Sequence, residues 1–459
     1  MIQDLALILI VASIVTLLFK KLKQPLVLGY IVAGFLVSSH MPYMMSVVEE
    51  QNVKEWADIG VMFTLFSLGL EFSFKKIVKM GAAPIIAAIT IVMSMMMVGY
   101  SVGTMFDWSH INCIFLGGML AMSSTTIIYK AFDDMGLRQQ RFASSVMSVL
   151  ILEDILAIVM MVMLAAIAKG DDLSGSDMLM SVIKIAFYLI LWFVLGIFAI
   201  PYLLRATRKL MSAETLLVVA LGLCCMMAVL SREAGFSEAF GAFVMGSILA
   251  ETIEAEKIEK VTEPVKNLFG AIFFVSVGML VDPKVLMDYS VPVIILVLTI
   301  IIGQIIFGTL GFFLSGQSLH NAMRCGFSMT QIGEFAFIIA SLGMSMHVIA
   351  DYLYPVVVAV SVITTFTTPY MIRGAEPAYH FLEKHLPKSI IMQINNLTTR
   401  QNHEVDNTAE AEDKQHVPAR ILWDRLLKSM VINTVVYTIL MTAVTYIMLT
   451  FFLILSRSV

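Results

Sequence analysis

The sequence has few charged residues and few cysteines. Asp, Glu, Lys and Arg make up 14% of its 459 residues, whereas hydrophobic residues make up 59% and the mean hydropathy is +0.88. This balance excludes an ordinary soluble globular chain. The four cysteines show no CxxC spacing, which argues against a metal site or a disulfide framework. A basic patch interleaved with aromatic residues is also missing, so we expect no nucleic-acid partner.

Motifs for nucleotide binding and metal-dependent hydrolysis are missing as well. After Arg373 no candidate strand leads into a G-x-G-x-x-G turn, so no nucleotide-binding domain is visible in the sequence. A membrane-embedded hydrolase would need a nucleophile–base pair or a metal, and no HExxH-like or His-rich motif is present. We therefore expect no enzymatic activity and no bound cofactor.

Long apolar runs dominate the remaining sequence. They predict an all-α polytopic membrane protein, because the strands of a β-barrel would show only short alternating segments. About thirteen predicted transmembrane helices occupy residues 5–19, 25–40, 56–72, 82–104, 111–130, 143–168, 178–204, 214–230, 235–251, 264–281, 289–315, 322–346 and 352–372. A polar linker at 374–428 separates them from one additional hydrophobic helix at 429–455.

The charges between the predicted spans alternate. Lysine and arginine concentrate in the loops that follow odd-numbered spans, for example at Lys20, Lys75 and Arg205, whereas loops such as 170–177 have none. By the positive-inside rule the N-terminus is extracytoplasmic and the 374–428 linker is cytoplasmic. We expect a multi-pass protein of a bacterial-type cytoplasmic membrane, in contact with membrane lipid.

The two halves of the predicted transmembrane region resemble each other. Leu28–Gly34 in span two is similar to Phe240–Gly246 in span nine, and Phe66–Leu70 in span three is similar to Val275–Met279 in span ten. Each pair is separated by about 210 residues and seven spans. An odd number of spans reverses the direction of insertion. Repeats at about 1–168 and 214–373 would therefore be inverted, as in many secondary transporters.

Two adjacent carboxylates, Glu153 and Asp154, lie in the middle of the apolar span 143–168. At about 1.5 Å per residue this span crosses a hydrocarbon core about 30 Å thick, so both acids lie near the midplane. An ionised side chain there costs at least about 2.5–3.5 kcal/mol, and such groups usually handle ions or protons. The alternative is a buried pair held neutral or salt-bridged for packing. Because successive helix positions are about 100° apart, the two acids are not expected to face the same cavity.

Two other spans carry polar residues at their centres. Span five contains a hydroxyl run and span twelve combines a helix-weakening glycine with polar side chains, namely Ser123, Ser124, Thr125, Thr126, Gln331, Gly333 and Glu334. In inverted-repeat transporters, helices broken at mid-membrane form the binding site. We therefore predict a break in each span, with these polar residues binding the cation or the proton. The alternatives are hydroxyls that bond to the preceding turn and a structural hydrogen bond from Glu334 to the neighbouring broken helix.

Asp154 is the main candidate for ion binding. A carboxylate in a partly wet cavity binds either a proton or a small monovalent cation. Protonation removes the charge that coordinates the cation, so the two ligands exclude each other. This competition is sufficient for exchange. The alternative is a cation channel without obligatory proton coupling, because a channel also places carboxylates and hydroxyls near the midplane.

Together these motifs resemble those of the cation:proton antiporter-2 family, most closely its Kef-type potassium:proton branch. The resemblance covers residues 1–373 and rests on Leu28–Gly34, Ser67–Glu71, Ser123–Thr125, Glu153–Asp154, Phe273–Met279 and Gly333–Phe337. It implies a sodium/proton-antiporter-like fold with thirteen helices, a dimerisation part and a mobile core that moves like an elevator. It also implies a homodimer, crossing broken helices at spans five and twelve, and Asp154 as the site of the monovalent cation, K⁺ or Na⁺.

Three features depart from the Kef-type pattern. Glu153 stands where Kef-type members have glutamine, and some sodium-transporting relatives have two acids at these positions. Gln304 aligns with a lysine of electrogenic relatives. Kef-type proteins also end in a nucleotide-binding regulatory domain, whereas this sequence has the polar linker and the additional hydrophobic helix.

Overall fold

The computed structural model describes residues 2–22, 24–39, 50–71, 81–169, 211–234 and 236–385, together with isolated residues between 187 and 207. The regular elements in these ranges are helices. The predicted helix at 429–455 lies outside the described residues, as do residues 386–428 of the predicted linker and most of the predicted span at 178–204.

The helices are numbered here in chain order. Helices α1 to α7 span Ile2–Lys21, Leu26–Val37, Glu50–Glu71, Ala82–Met105, His110–Leu120, Thr125–Asp134 and Arg141–Lys169. Helices α8 to α12 span Ala213–Glu233, Glu238–Ala250, Ala255–Met279, Pro283–Asp288 and Ser290–Gly303. A π-helical turn at Gln304–Gly308 leads into α13 at Thr309–Leu314, and α14 to α16 span Leu319–Ser328, Glu334–Ser345 and Leu353–His385. The last helix thus continues past Arg373 into the predicted linker.

Serine side chains cap the start of several helices. In each case the hydroxyl accepts a hydrogen bond from a backbone N–H of the first turn, at Ser109, Ser124, Ser212, Ser237 and Ser318. Such caps satisfy donors that have no partner within the helix. Local sequence therefore fixes where α5, α6, α8, α9 and α14 begin.

Within the described ranges, seven helical stretches are long and apolar enough to cross a membrane, at Ile2–Lys21, Ala83–Met105, His110–Asp134, Arg141–Ala165, Ala213–Glu233, Ser290–Leu314 and Leu353–His385. Three shorter apolar helices accompany them, at Leu26–Val37, Glu238–Ala250 and Glu334–Ser345. The chain is therefore a multi-pass, helical membrane protein. The count of thirteen transmembrane helices stays a prediction.

The helix pairs in extensive contact fall into two groups. In the first group α3 packs along α9 and α10, α2 packs on α10 and α1, and α8 packs on α9. In the second group α4 packs on α5, α7 and α13, and α14 and α15 pack on α16 and α7. Within the described ranges, each extensive helix contact joins members of the same group. The acids of α7 lie in the second group.

Both predicted breaks are present. Residues 121–124 interrupt one apolar stretch between α5 and α6, and residues 329–333 interrupt another between α14 and α15. The half-helices of the second stretch begin 209 positions after those of the first, at Leu319 against His110 and at Glu334 against Thr125. The prediction of two broken helices is confirmed.

One kind of close glycine contact between helices occurs twice, separated in the sequence by the same 209 positions. A Cβ added to Gly99 of α4 would lie 2.7 Å from the Cα of Gly117 in α5. A Cβ added to Gly308 would lie 2.9 Å from the Cα of Gly326 in α14. Both partners of the second contact lie 209 positions after those of the first. Each broken helix thus contacts the helix that precedes it through an equivalent pair of glycines.

The four motifs of the two similar pairs also pack against each other, each against a member of the other pair. Gly34 of α2 faces Gly278 of α10, and a Cβ added at Gly34 would lie 3.0 Å from its Cα. Gly69 of α3 faces Gly246 of α9 with the same separation. The motif containing Gly34 resembles that containing Gly246, and the motif containing Gly69 resembles that containing Gly278. Each contact therefore joins one motif of each kind, and the half of the chain that supplies each kind differs between the two contacts.

Candidate functional site

The two breaks cross in direct backbone contact. The Gly333 N–H donates a hydrogen bond of 2.8 Å to the carbonyl oxygen of Met122. A Cβ on Gly333 would lie 2.5 Å from the carbonyl oxygen of Ser123, closer than a side chain can approach. Glycine at this position is what allows the two chain segments to touch.

Gln331 lies in the second break and forms hydrogen bonds to the backbone of the first break. Its Oε1 accepts a hydrogen bond of 3.0 Å from the Ser124 N–H, and its Nε2 donates one of 3.2 Å to the Ser124 carbonyl. Both residues are buried. A broken helix exposes backbone groups that lipid cannot satisfy, so this amide replaces hydrogen bonds that the break removes.

Glu334 binds hydroxyl groups of the first broken helix. Its Oε2 accepts a hydrogen bond of 2.6 Å from Ser124 Oγ, and its Oε1 accepts one of 3.3 Å from Thr126 Oγ1. Glu334 is also the first residue of α15, where a negative charge interacts favourably with the helix dipole. The hydrogen bond expected under the structural alternative is therefore present. Thr126 is exposed, so the same carboxylate lies beside a group that the surrounding helices do not cover.

The adjacent acids of α7 have different partners. Asp154 Oδ2 accepts a hydrogen bond of 3.0 Å from Thr125 Oγ1. Glu153 Oε2 accepts one of 3.2 Å from the backbone N–H of Ser123. The exposed fraction is 7% for Asp154 and 1% for Glu153. As the helical spacing predicts, Asp154 approaches the half-exposed start of α6, whereas Glu153 contacts the buried backbone of the break.

Gln304 approaches the same break from the π-helical turn. Its Nε2 donates a hydrogen bond of 3.4 Å to Ser123 Oγ, and the residue is fully buried. Gln304 Oε1 and Glu153 Oε1 have no hydrogen-bond partner among the described residues. A π-helical turn rotates the residues that follow it and is frequent at functional sites. In the sequence, only the family resemblance drew attention to Gln304.

Two residues of α16 support the second break, and the sequence analysis missed them. Ser361 Oγ donates a hydrogen bond of 3.1 Å to the Ile332 carbonyl, and the Ile332 N–H donates one of 3.4 Å to Thr364 Oγ1. Both side chains are buried. A row of Ser and Thr residues within an otherwise apolar span was the available signal.

The resulting site is lined by oxygen atoms and by helix ends. Thr125 binds Asp154, and its neighbours Ser124 and Thr126 bind Glu334. Helices α6 and α15 both begin here, and α5 and α14 both end here, so partial charges of both signs meet at the crossing. Oxygen ligands of this kind suit either a small hard cation or a proton.

Known proteins are similar to this chain over most of its length. Residues 7–373 match the family described as sodium/hydrogen exchanger, transmembrane. The K(+)/H(+) antiporter subunit KhtU of Bacillus subtilis is 27% identical over 82% of this chain and 94% of its own length. The K(+) efflux antiporter 6 of Arabidopsis thaliana is 28% identical over 83% of this chain and 64% of its own length.

A solved structure has a similar fold. The sodium proton antiporter MjNhaP1 from Methanocaldococcus jannaschii, determined at pH 8, superposes with a TM-score of 0.63 at 18% identity, over 82% of this chain and 96% of that one. The crossed broken helices, the acids of α7 and the family match over most of the chain lead to one assignment. The chain belongs to the sodium/hydrogen exchanger family and, within it, to the cation:proton antiporter-2 family.

Proposed function

We propose that this protein is a secondary antiporter that exchanges a monovalent cation, K⁺ or Na⁺, for protons. The observation that carries the proposal is the Asp154 carboxylate, which accepts a hydrogen bond from Thr125 beside the first break. Both cations remain candidates, because KhtU is named a K⁺/H⁺ antiporter and MjNhaP1 a sodium proton antiporter.

Competition at Asp154 is the proposed basis of coupling. The ionised carboxylate attracts the cation, and protonation removes that charge, so one ligand leaves when the other binds. Neutral Thr125 remains as an oxygen ligand in both states. The apparent KM for the cation is therefore expected to rise as pH falls, by at most about tenfold per pH unit.

The two helix groups support an elevator-like movement. The crossing and the acids of α7 belong to the second group, and the extensive contacts lie within groups. A site carried by one group can move against the other without dismantling the hydrogen bonds that hold the crossing together. The first group would then form the dimerisation part of a homodimer, as the family resemblance implies.

An inverted repeat is the proposed architecture. The recurring glycine contacts and the shared 209-residue spacing of the half-helices support it. We propose thirteen transmembrane helices, an extracytoplasmic N-terminus and a place in the cytoplasmic membrane. No catalytic reaction is part of the proposed function.

The test is exchange by the full chain in proteoliposomes. Addition of K⁺, Na⁺ or Li⁺ to vesicles holding a pH gradient should restore the fluorescence of a quenched pH dye. Asp154→Asn should abolish this response. Asp133→Asn is the matched control, because Asp133 is half-exposed and pairs with Arg138 at 3.8 Å, outside the crossing. Cation flux that moves no protons would indicate a channel, and full exchange by Asp154→Asn would contradict the proposed site.

A further inference from the structure

A second cluster of ionisable side chains lies at the far end of the second broken helix. Nε2 of His320 in α14 lies 3.0 Å from both carboxylate oxygens of Glu376 in α16. Arg324 Nε lies 4.0 Å from Glu376, and His380 Nε2 lies 3.9 Å from it. One carboxylate thus faces one guanidinium and two imidazoles.

The surroundings of this cluster are also titratable. Glu383 lies 3.5 Å from Nδ1 of His380, and the Tyr379 ring packs edge-on against His320 with centroids 4.6 Å apart. His320 and Arg324 from α14 and His380 from α16 are the charged groups that act on Glu376. The side chains of His320 and Glu376 are 34% and 50% exposed, so neither is enclosed by the helices described here.

Arg324 connects the same cluster to α7. Its Nη2 donates a hydrogen bond of 2.6 Å to Gln140 Oε1, and its guanidinium lies 3.9 Å from the centre of the Phe142 ring. Phe142 belongs to the first turn of α7, the helix that carries Asp154. The end of α14 is therefore fixed on one side to α7 and on the other side, through Glu376, to α16.

We propose that His320 and Arg324 of α14, together with Glu376 of α16, form a proton-responsive clamp on the cytoplasmic end of the second broken helix. Histidine is the side chain that ordinarily changes its charge between about pH 5 and 8. With His320 protonated, Glu376 has two cationic partners on α14 and holds this helix against α16, whereas His380 lies on α16 itself and links no second helix. When His320 loses its proton, Arg324 is the remaining cation on α14, so the contact weakens.

The clamp acts on the ion site through α14. This helix ends at Ser328, directly before the break that supplies Gln331 and Glu334. A loosened α14 holds these residues less firmly against Ser124, so the cation is bound more weakly. The clamp rests on the proposed exchange function. It strengthens cation binding at acidic cytoplasmic pH, where proton competition at Asp154 is strongest.

Everted membrane vesicles, which expose the cytoplasmic face to the medium, test the clamp with the full chain. The quantity to measure is the ratio of the KM for the cation in His320→Gln to that in the unaltered protein. Competition at Asp154 affects both proteins equally and cancels in this ratio. We expect a ratio of about three to five near pH 6 and near one at about pH 8.5. The effect is modest because a half-exposed ion pair contributes at most about 1 kcal/mol, which corresponds to a factor of about five.

Two further variants complete the test. His320→Lys keeps a charge at every pH, so its ratio should stay near one at about pH 6 and fall below one at about pH 8.5. His110→Gln is the matched control, because His110 bonds to Tyr100 near the opposite end of the membrane region, and its ratio should stay near one throughout. A His320→Gln ratio that is the same at both pH values would overturn the clamp and indicate a purely structural contact.

A measurement that does not depend on transport tests the clamp separately from the proposed exchange function. Hydrogen exchange of residues 319–328, corrected for the intrinsic effect of pH, should be slower near pH 6 than near pH 8.5 in the unaltered protein. In His320→Gln this difference should disappear. Equal protection at both pH values in the unaltered protein would overturn the clamp, whereas absence of any exchange activity would overturn only the proposed function.

Discussion

The Ser124 hydroxyl donates a hydrogen bond of 2.6 Å to Glu334, although 210 residues separate the two in the sequence. Ser124 also presents its backbone N–H and carbonyl to Gln331. One residue of the first break is thus held by the second break through three groups. Because apolar helices surround both breaks, these contacts replace hydrogen bonds that continuous helices would have made.

Ser124→Ala should weaken cation binding without unfolding the protein. The variant leaves Glu334 with the hydroxyl of Thr126, and a hydrogen bond to a charged group contributes about 1.5–3 kcal/mol, so the KM should rise about tenfold or more. Ser148→Ala is the control, because among the described residues the Ser148 hydroxyl bonds to the Ser144 carbonyl of its own helix. KM values from dye-dequenching titrations check this, and equal effects of the two variants would contradict the role of Ser124.

Thr125 tests the hydroxyl beside Asp154. Thr125→Val preserves the shape of the side chain but removes the donor, so cation affinity should fall severalfold, whereas Thr125→Ser should retain it. KM values from dye-dequenching titrations of the two variants measure this. An equal loss of affinity in Thr125→Val and Thr125→Ser would contradict the role of the hydroxyl.

Glu153→Gln should retain exchange. Glutamine keeps an oxygen that accepts the Ser123 N–H, which is the contact seen for Glu153. Glu153→Leu leaves that buried N–H without an acceptor and should lower the free energy of unfolding by about 1–3 kcal/mol. Thermal unfolding in detergent and membrane currents in proteoliposomes measure the two effects. Loss of a transport current in Glu153→Gln alone would instead identify Glu153 as a charge carrier.

Gly333→Ala should prevent the crossing from forming. The added methyl group would meet the carbonyl of Ser123 at 2.5 Å, and backbone atoms on both sides leave it no room. Gly222→Ala is the matched control in α8, because a Cβ there meets nothing within 4 Å. We expect Gly222→Ala to be neutral or slightly stabilising, since alanine favours helices by about 1 kcal/mol over glycine. Yield of the folded protein and exchange activity distinguish the two.

The main features of the fold were predictable from local patterns. Hydropathy located the apolar helices of the described ranges. The hydroxyl run at Ser123 and the glycine at Gly333 located both breaks, because polar and glycine residues weaken helices wherever they occur. The separation of Glu153 from Asp154 followed from the helical rotation between neighbours. These features depend on residues that are close in the sequence.

The pairing between distant residues was not predictable in this way. Nothing in the sequence around Gln331 indicates that its amide spans both backbone groups of Ser124, because that geometry depends on how two breaks cross. The support from Ser361 and Thr364 escaped notice for the same reason, since hydroxyls in a helix usually bond to their own preceding turn. Thr364 does so and also receives the Ile332 N–H.

The recurring glycine contacts have a consequence for the direction of transport. Gly99 meets Gly117 as Gly308 meets Gly326, so the two halves of the chain are built with equivalent joints. Both joints lie inside the second helix group, which the proposed movement carries as one body, so both stay intact as the site turns from one face of the membrane to the other. In this respect the conformations before and after have similar free energies. We expect exchange at similar rates in both directions when the ion gradients are reversed.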